Sequence, residues 1–222
     1  MFIWPAQLFN PRQVTVRPVE MVISGGTSLS GEEDIISTDG GGRMEISMDG
    51  IALRTPAQIR AWEAWSVHLA AGKVDVLVPL LSLYTANRPS HGRGLMTVSK
   101  IVADDPVWPT QVSVSSPQIV ATIAADAAVR SSQVAISVGK GAPLSGGEKF
   151  SVGNRAYKIG RPLGGNLFQI WPPLREAVIA GAACEFDWPR VKCRSVPGES
   201  FAPALDFGRR SEVSIRFLEN AA

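Results

Sequence analysis

Apolar and polar side chains alternate along much of this chain with a period of two. Met44, Ile46 and Met48 are interleaved with Arg43, Glu45, Ser47 and Asp49, the signature of a strand with one wet face. Val14 and Val16 repeat the pattern near the start. Val213, Ile215 and Phe217 repeat it near the end, against Ser214, Arg216 and Leu218. VDVLVPLL, residues 74–81, is apolar and β-branched enough for a buried strand, and LMTVSKIV, residues 95–102, reads as the next. One stretch departs from this rhythm. In TPAQIRAWEAW, residues 55–65, Thr55 suits an N-cap, Pro56 the first turn, and Gln58 completes a Thr-x-x-Gln capping box. Ile59, Trp62, Trp65, Ser66 and Leu69 then share one stripe, Arg60, Ala64 and His68 point elsewhere with His68 toward solvent, and Gly72 supplies a stop. Each indole in that stripe buries on the order of 200 Å², more than a helix of about four turns needs for itself. The spacing therefore predicts an amphipathic helix lying on a sheet.

Between residues 113 and 186 the rhythm shortens. VAISV (134–138), EKFSVGNRAYKIG (148–160), NLFQIW (166–171) and ACEF (183–186) are separated by glycine-rich turns, and Gly153-Asn154 suits a tight hairpin. This is the pattern of a small all-β barrel or sandwich. Trp4, Trp108, Trp171 and Trp188 all precede proline, which biases each to extended backbone. Trp108, in DDPVWPT, and Trp188, in FDWPRVK, bracket the region as crossover points. The expected fold class is mainly β. Residues 1–112 and 187–222 form a discontinuous β-sandwich domain with one amphipathic helix, interrupted by a small β-barrel-like insert domain, 113–186.

Composition narrows the function classes. A chain of 222 residues, 45% hydrophobic and 19% charged, can bury a core as one large or two small domains. A formal net charge of +2 gives no broad field for nucleic acid or anionic lipid, so neither partner is expected. No run of about 18 apolar residues is present and MFIWPAQLFNPR lacks the form of a secretory signal, so no membrane insertion is expected, and the chain reads as cytoplasmic until assembly. Cys184 and Cys193 lack a CxxC spacing and read as two buried free thiols. Catalytic machinery is not evident. His68 and His91 lack a neighbouring nucleophile or metal ligand, and HExxH, GxSxG and phosphate-loop patterns are missing. Glu32, Glu33 and Asp34 could offer paired carboxylates for glycoside hydrolysis, but read as a solvated loop. GKG at 139–141 and GGG at 40–42 read as turns. No catalytic residue, metal site or cofactor is assigned, and the chain is expected not to be an enzyme.

Two segments then carry a resemblance. SGGTSLSGEEDIISTDGGGRMEISM followed by TPAQIRAWEAWSVHLAAGKVDVLVPL resembles the distal tail proteins that form the baseplate ring of long-tailed bacteriophages. YKIGRPLGGNLFQIWPPLREAVIAGAACEF is similar to an insert of phage minor tail proteins, and DFGRRSEVSIRFLE resembles the family's terminal strand. The resemblance implies a ring-forming β-sandwich backed by the helix of Trp62 and Trp65. It also implies a structural component of the virion tail tip, assembled in the bacterial host cytoplasm. Its partners would be its own copies in a closed ring, most commonly a hexamer, together with the tail tube protein and baseplate hub or tail-fibre proteins. A host-carbohydrate-binding tail module is the alternative, although relatives place such a module after the ring domain and here the extra domain interrupts it. Cyclic closure needs two different patches per subunit. The glycine-rich stretch from Ser24 to Gly42, with Gly26, Glu32, Glu33 and Gly41, and the basic loop from Ser82 to Gly94, with Arg88, His91 and Arg93, are the interaction candidates. Thr55, Trp62, Trp65, Trp108 and Trp188 are assigned structural roles.

Overall fold

A computed structural model describes residues 1–19, 22–27, 29–31, 33–37, 42–81, 100–115, 117–196, 203 and 211–220. The chain is mainly β with one helix. In order, the elements are β1 (Gln13–Val19), β2 (Val22–Thr27), β3 (Glu33–Ser37), β4 (Arg43–Leu53), α1 (Pro56–His68), β5 (Val76–Pro79), β6 (Lys100–Ala103) and β7 (Val112–Ser115). There follow β8 (Val120–Ile123), β9 (Gln133–Lys140), β10 (Lys149–Val152), β11 (Arg155–Gly164), β12 (Leu167–Trp171) and β13 (Ala183–Cys184). The last two are β14 (Arg190–Ser195) and β15 (Ser211–Glu219).

An antiparallel sheet in the order β1-β4-β15-β14-β5 joins the two ends of the chain. Its central pair keeps Ile46 opposite Phe217 and Met48 opposite Ile215, all buried. The alternation along β4 would carry Ile51 and Leu53 to the wet face, yet both are fully buried. A bulge corrects the phase. Val213 pairs with Ile51 and Ile215 with Met48, so Asp49 and Gly50 together oppose Ser214. Gly50 takes φ +67°, a left-handed conformation that glycine adopts at little cost.

Helix α1 covers the inner face of this sheet, as its stripe predicts. Thr55 accepts a hydrogen bond from the Gln58 amide at 3.2 Å, and Gln58 Oε1 accepts from the Thr55 amide at 3.2 Å, the reciprocal capping box. Ala61, Trp62, Trp65 and Leu69 enter a core with Trp4, Phe9, Met44, Val76, Val191 and Phe217. Trp4 stands edge-on to Trp62 at 5.9 Å, to Trp65 at 5.2 Å and to Phe217 at 5.1 Å between ring centroids, within the range that favours such pairs. The N-terminal segment thus forms part of the cover, held by an Ile3 bridge to Leu77 and the Trp4 amide bonded to the Leu77 carbonyl. The hairpin β6–β7 supplies the rest through Ile101, Val112 and Val114. The layering is sandwich-like, with the helix, the N-terminal segment and a two-stranded hairpin as the layer opposite the sheet.

Two sequence expectations are corrected. His68 does not face solvent: its ring lies 5.3 Å from Phe2, 5.5 Å from Trp65 and 5.4 Å from Trp108. The helix is covered on a second side by Phe2 and by the turn carrying Trp108, so a position opposite the sheet is still half-buried. Glu45 belongs to the expected wet face of β4 but is only 9% exposed, because Arg17 on the neighbouring strand clasps it with bonds of 2.9 and 3.0 Å.

The second sheet runs β10-β11-β12-β9-β8-β13, and its ends meet. Ser151 and Glu185 exchange backbone bonds of 2.9 and 2.8 Å, which nearly closes a small barrel. Val152 pairs with Arg155 across a two-residue turn in which Gly153 has φ +60°, the place and sign that a type II′ turn requires. Phe150, Tyr157, Ile159, Phe168, Ile170 and Phe186 fill the interior, a cluster separate from the first. β7 carries the chain past residue 112 while Val112 and Val114 still pack on the first cluster. Cys184 lies in the barrel core and Cys193 in the first core, both buried and unpaired.

Candidate interaction surface

β1 and β4 pair from Gln13–Asp49 to Val19–Arg43, and beyond them β2 and β3 pair from Val22–Ser37 to Thr27–Glu33. The four strands are therefore one long hairpin. Its near half is built into the sheet and its far half forms a two-stranded sheet of its own. Residues 23–27 are exposed without alternation, so this arm has no dry face there. Ile23 is 59% exposed, and Leu29, near the tip, is fully so. An isolated two-stranded hairpin is at best marginally stable in water. At its base, β1 is an edge strand with one row of backbone groups outside the sheet.

Ser24 and Gly26 lie on β2, where Ser24 Oγ accepts a bond from the Gly26 amide at 3.3 Å and Gly26 takes φ +95°. Glu33 opens β3. Glu32, Gly41, Arg88, His91 and Arg93 lie outside the described residues. Thr55 caps α1, and Trp62 and Trp65 are buried beneath it. Trp108 stacks on Trp65 at 4.6 Å with planes 22° apart, while Trp65 Nε1 donates to the Val107 carbonyl at 2.8 Å. Trp188 is buried where the chain returns from the barrel. The turn presenting Trp108 is tied by two carboxylates. Asp104 accepts from Thr110 Oγ1 at 2.6 Å and from the Gln111 amide at 3.1 Å, and Asp105 accepts from the Val107 and Trp108 amides at 2.7 Å. The bonds that Asp104 accepts, led by the Thr110 hydroxyl, hold its carboxyl down at about 2.

The barrel and the first sheet meet at a buried polar junction. Glu219, 2% exposed at the end of β15, accepts from the Met44 amide at 2.9 Å. Burial raises its carboxyl above the usual range, while the Met44 amide and the charges of Arg175, Arg155 and Arg43 pull the other way. Arg155 of the barrel pairs with Glu176 at 3.1 Å and donates to the Asn220 carbonyl, and Arg175 donates to the Gly42 carbonyl. Sequence reading missed this junction, because its members are scattered over four separate stretches and only the fold brings them together.

A cavity of about 240 Å³ lies between the N-terminal segment and the β6–β7 hairpin, lined mainly by apolar residues including Trp4, Leu8, Ile101 and Trp188. Among the described residues no group of three His, Cys, Asp or Glu gathers that could hold a metal, and no helix is long and apolar enough to cross a membrane. No protein-family model matches the chain, and no curated protein sequence matches it.

Proposed function

We propose that this protein is a structural component of a bacteriophage tail tip or baseplate. Its copies close into a ring, six being the expected number, which connects the tail tube to the hub and the receptor-binding apparatus. The observation that carries the reading is the arm β2–β3, a ribbon held by its own hydrogen bonds and exposed along residues 23–27. Such a ribbon gains stability by laying itself against a neighbouring copy, where backbone pairing and the apolar tip at Leu29 find partners. The arm and its docking place are different patches, the heterologous arrangement that closes rings.

Native mass spectrometry should give a discrete oligomer, alone at high concentration or with the tail tube or hub protein. Replacing residues 22–37 by a short Gly-Ser turn should yield a folded monomer. A full chain that stays monomeric and binds no tail component overturns the reading. The carbohydrate-binding alternative requires an exposed aromatic platform on the insert. Phe150, Tyr157, Phe168 and Phe186 are instead buried in the barrel, and Trp171 packs on the first core.

A further inference from the structure

The arm and one hairpin of the barrel carry opposite charge. Residues 20–42 contain five acidic side chains, Glu20, Glu32, Glu33, Asp34 and Asp39, and no basic one. Residues 149–164, which make β10, its turn and β11, contain Lys149, Arg155, Lys158 and Arg161 and no acidic residue. Arg155 is occupied by Glu176. The other three are not matched in this way. Lys149 and Lys158 stand directly opposite one another across the β10–β11 ladder, one register step outside the buried Phe150–Tyr157 pair. Like charges at directly opposed positions destabilise a strand pair. The ion pairs found among the described residues do not include Lys149, Lys158 or Arg161. Lys149 is also half-buried. Desolvation, and then the Lys158 charge, lower its ammonium from its ordinary value. Two facing lysines, one partly stripped of water, form a site that gains from an anion placed between them.

Resting on the ring reading above, we propose that the Lys149–Lys158 step of the β10–β11 ladder receives the acidic arm of a neighbouring copy, whose run of carboxylates between residues 20 and 42 supplies the opposite charge. The insert then has a defined task in assembly: it presents the socket for the next subunit's arm. Opposite charges placed on two different hairpins also set direction, because an arm cannot dock on another arm, nor a socket on another socket, without repulsion.

Charge reversal tests the pairing. Self-association of the full chain would be followed by sedimentation velocity at low and high salt, with circular dichroism as the check on folding. The double variant Lys149→Glu/Lys158→Glu, and separately Glu33→Lys/Asp34→Lys, should each weaken association roughly tenfold or more at low salt. Both reversals in one chain should restore most of it, and so should mixing the two double variants. A wild-type oligomer insensitive to both reversals overturns this inference and leaves the ring reading standing. Loss without restoration in the combined variant, with folding intact, also overturns it. So does a disulfide between Asp34→Cys and Lys158→Cys that forms within one chain rather than between chains. A wild-type chain that never associates, alone or with tail proteins, removes the ring reading itself.

Discussion

Trp65 ties several parts of the first core together. It packs on Trp4, stacks on Trp108, faces His68 and donates its indole hydrogen to Val107. Trp65→Ala should cost about 3–5 kcal/mol, read as a lower urea midpoint with an unchanged slope. Trp65→Phe keeps an aromatic ring but leaves the Val107 carbonyl without this donor, and should lie between the two. His68→Ala should also be destabilising, by about 1 kcal/mol, since its ring sits among three others. A melting temperature equal to that of the parent would place His68 back in solvent. The two thiols test burial in a different way. Desolvation pushes Cys184 up to about 12 and Cys193 well above its ordinary value. Raised thiols contribute stability that is complete below the unfolded value of 9.0 and is lost as pH rises toward the folded one. In mildly alkaline buffer neither should react with a thiol reagent until urea is added, after which two should react.

Elements differ in how plainly the sequence announces them. Helix α1 is legible because its cap and its stripe are local, and Thr55, Pro56, Gln58 and Trp62 act as read, although the α-helix ends at His68 and a 3-10 turn, Ala70–Gly72, runs on to the expected stop. The turn at Gly153 is legible for the same reason. The change of phase in β4 is not, because the requirement for Gly50 comes from β15, far away in the chain. Gly50→Ala should cost about 1–3 kcal/mol, since the backbone is left-handed there and an added Cβ would lie 3.0 Å from Arg12 Cβ. Equal stability of the two proteins in urea would show that the bulge is dispensable. The Asp104 turn is likewise invisible to pattern, though its pH response is specific. A depressed carboxyl contributes stability that is fully present above the ordinary 3.8 and is lost as pH falls through about 2. Amide exchange at Thr110 and Gln111 should therefore accelerate only in that acid window, and Asp104→Asn should abolish the step. The long hairpin was half legible. Alternation reveals β4, whereas Ser24–Gly42 reads as a loop because the exposed residues 23–27 and the many glycines leave no apolar period to detect.

At the scale of the molecule, two cores share one chain and meet at Glu219. Replacing residues 116–187 by a Gly-Ser linker should leave a cooperatively unfolding protein, because Trp4, Trp65, Val191 and Phe217 all remain together. In that protein the carboxyl of Glu219 loses its cover and should titrate nearer the ordinary range, observable by NMR. Since the folded value in the full chain is raised, its contribution is present below the ordinary carboxylate range and is lost as pH rises through the folded one. The full chain should thus gain stability relative to the shortened one on acidification from about pH 7 to about pH 4. No relative gain would mean that the junction does not depend on this group.

The long hairpin also has a mechanical aspect. A pull on the tip of the arm runs along the strands into β4, which is hydrogen-bonded on both sides, between β1 and β15. Tension applied in that direction loads the ladder from Leu53–Ser211 to Glu45–Leu218 in shear, so its bonds bear the force together rather than opening one after another. A load arriving sideways at β5 would instead peel Val76–Pro79 from β14 bond by bond. The sheet is therefore stiff along the arm and weak across it, and pulling a single molecule from the arm should demand a higher rupture force than pulling it from the β5 edge.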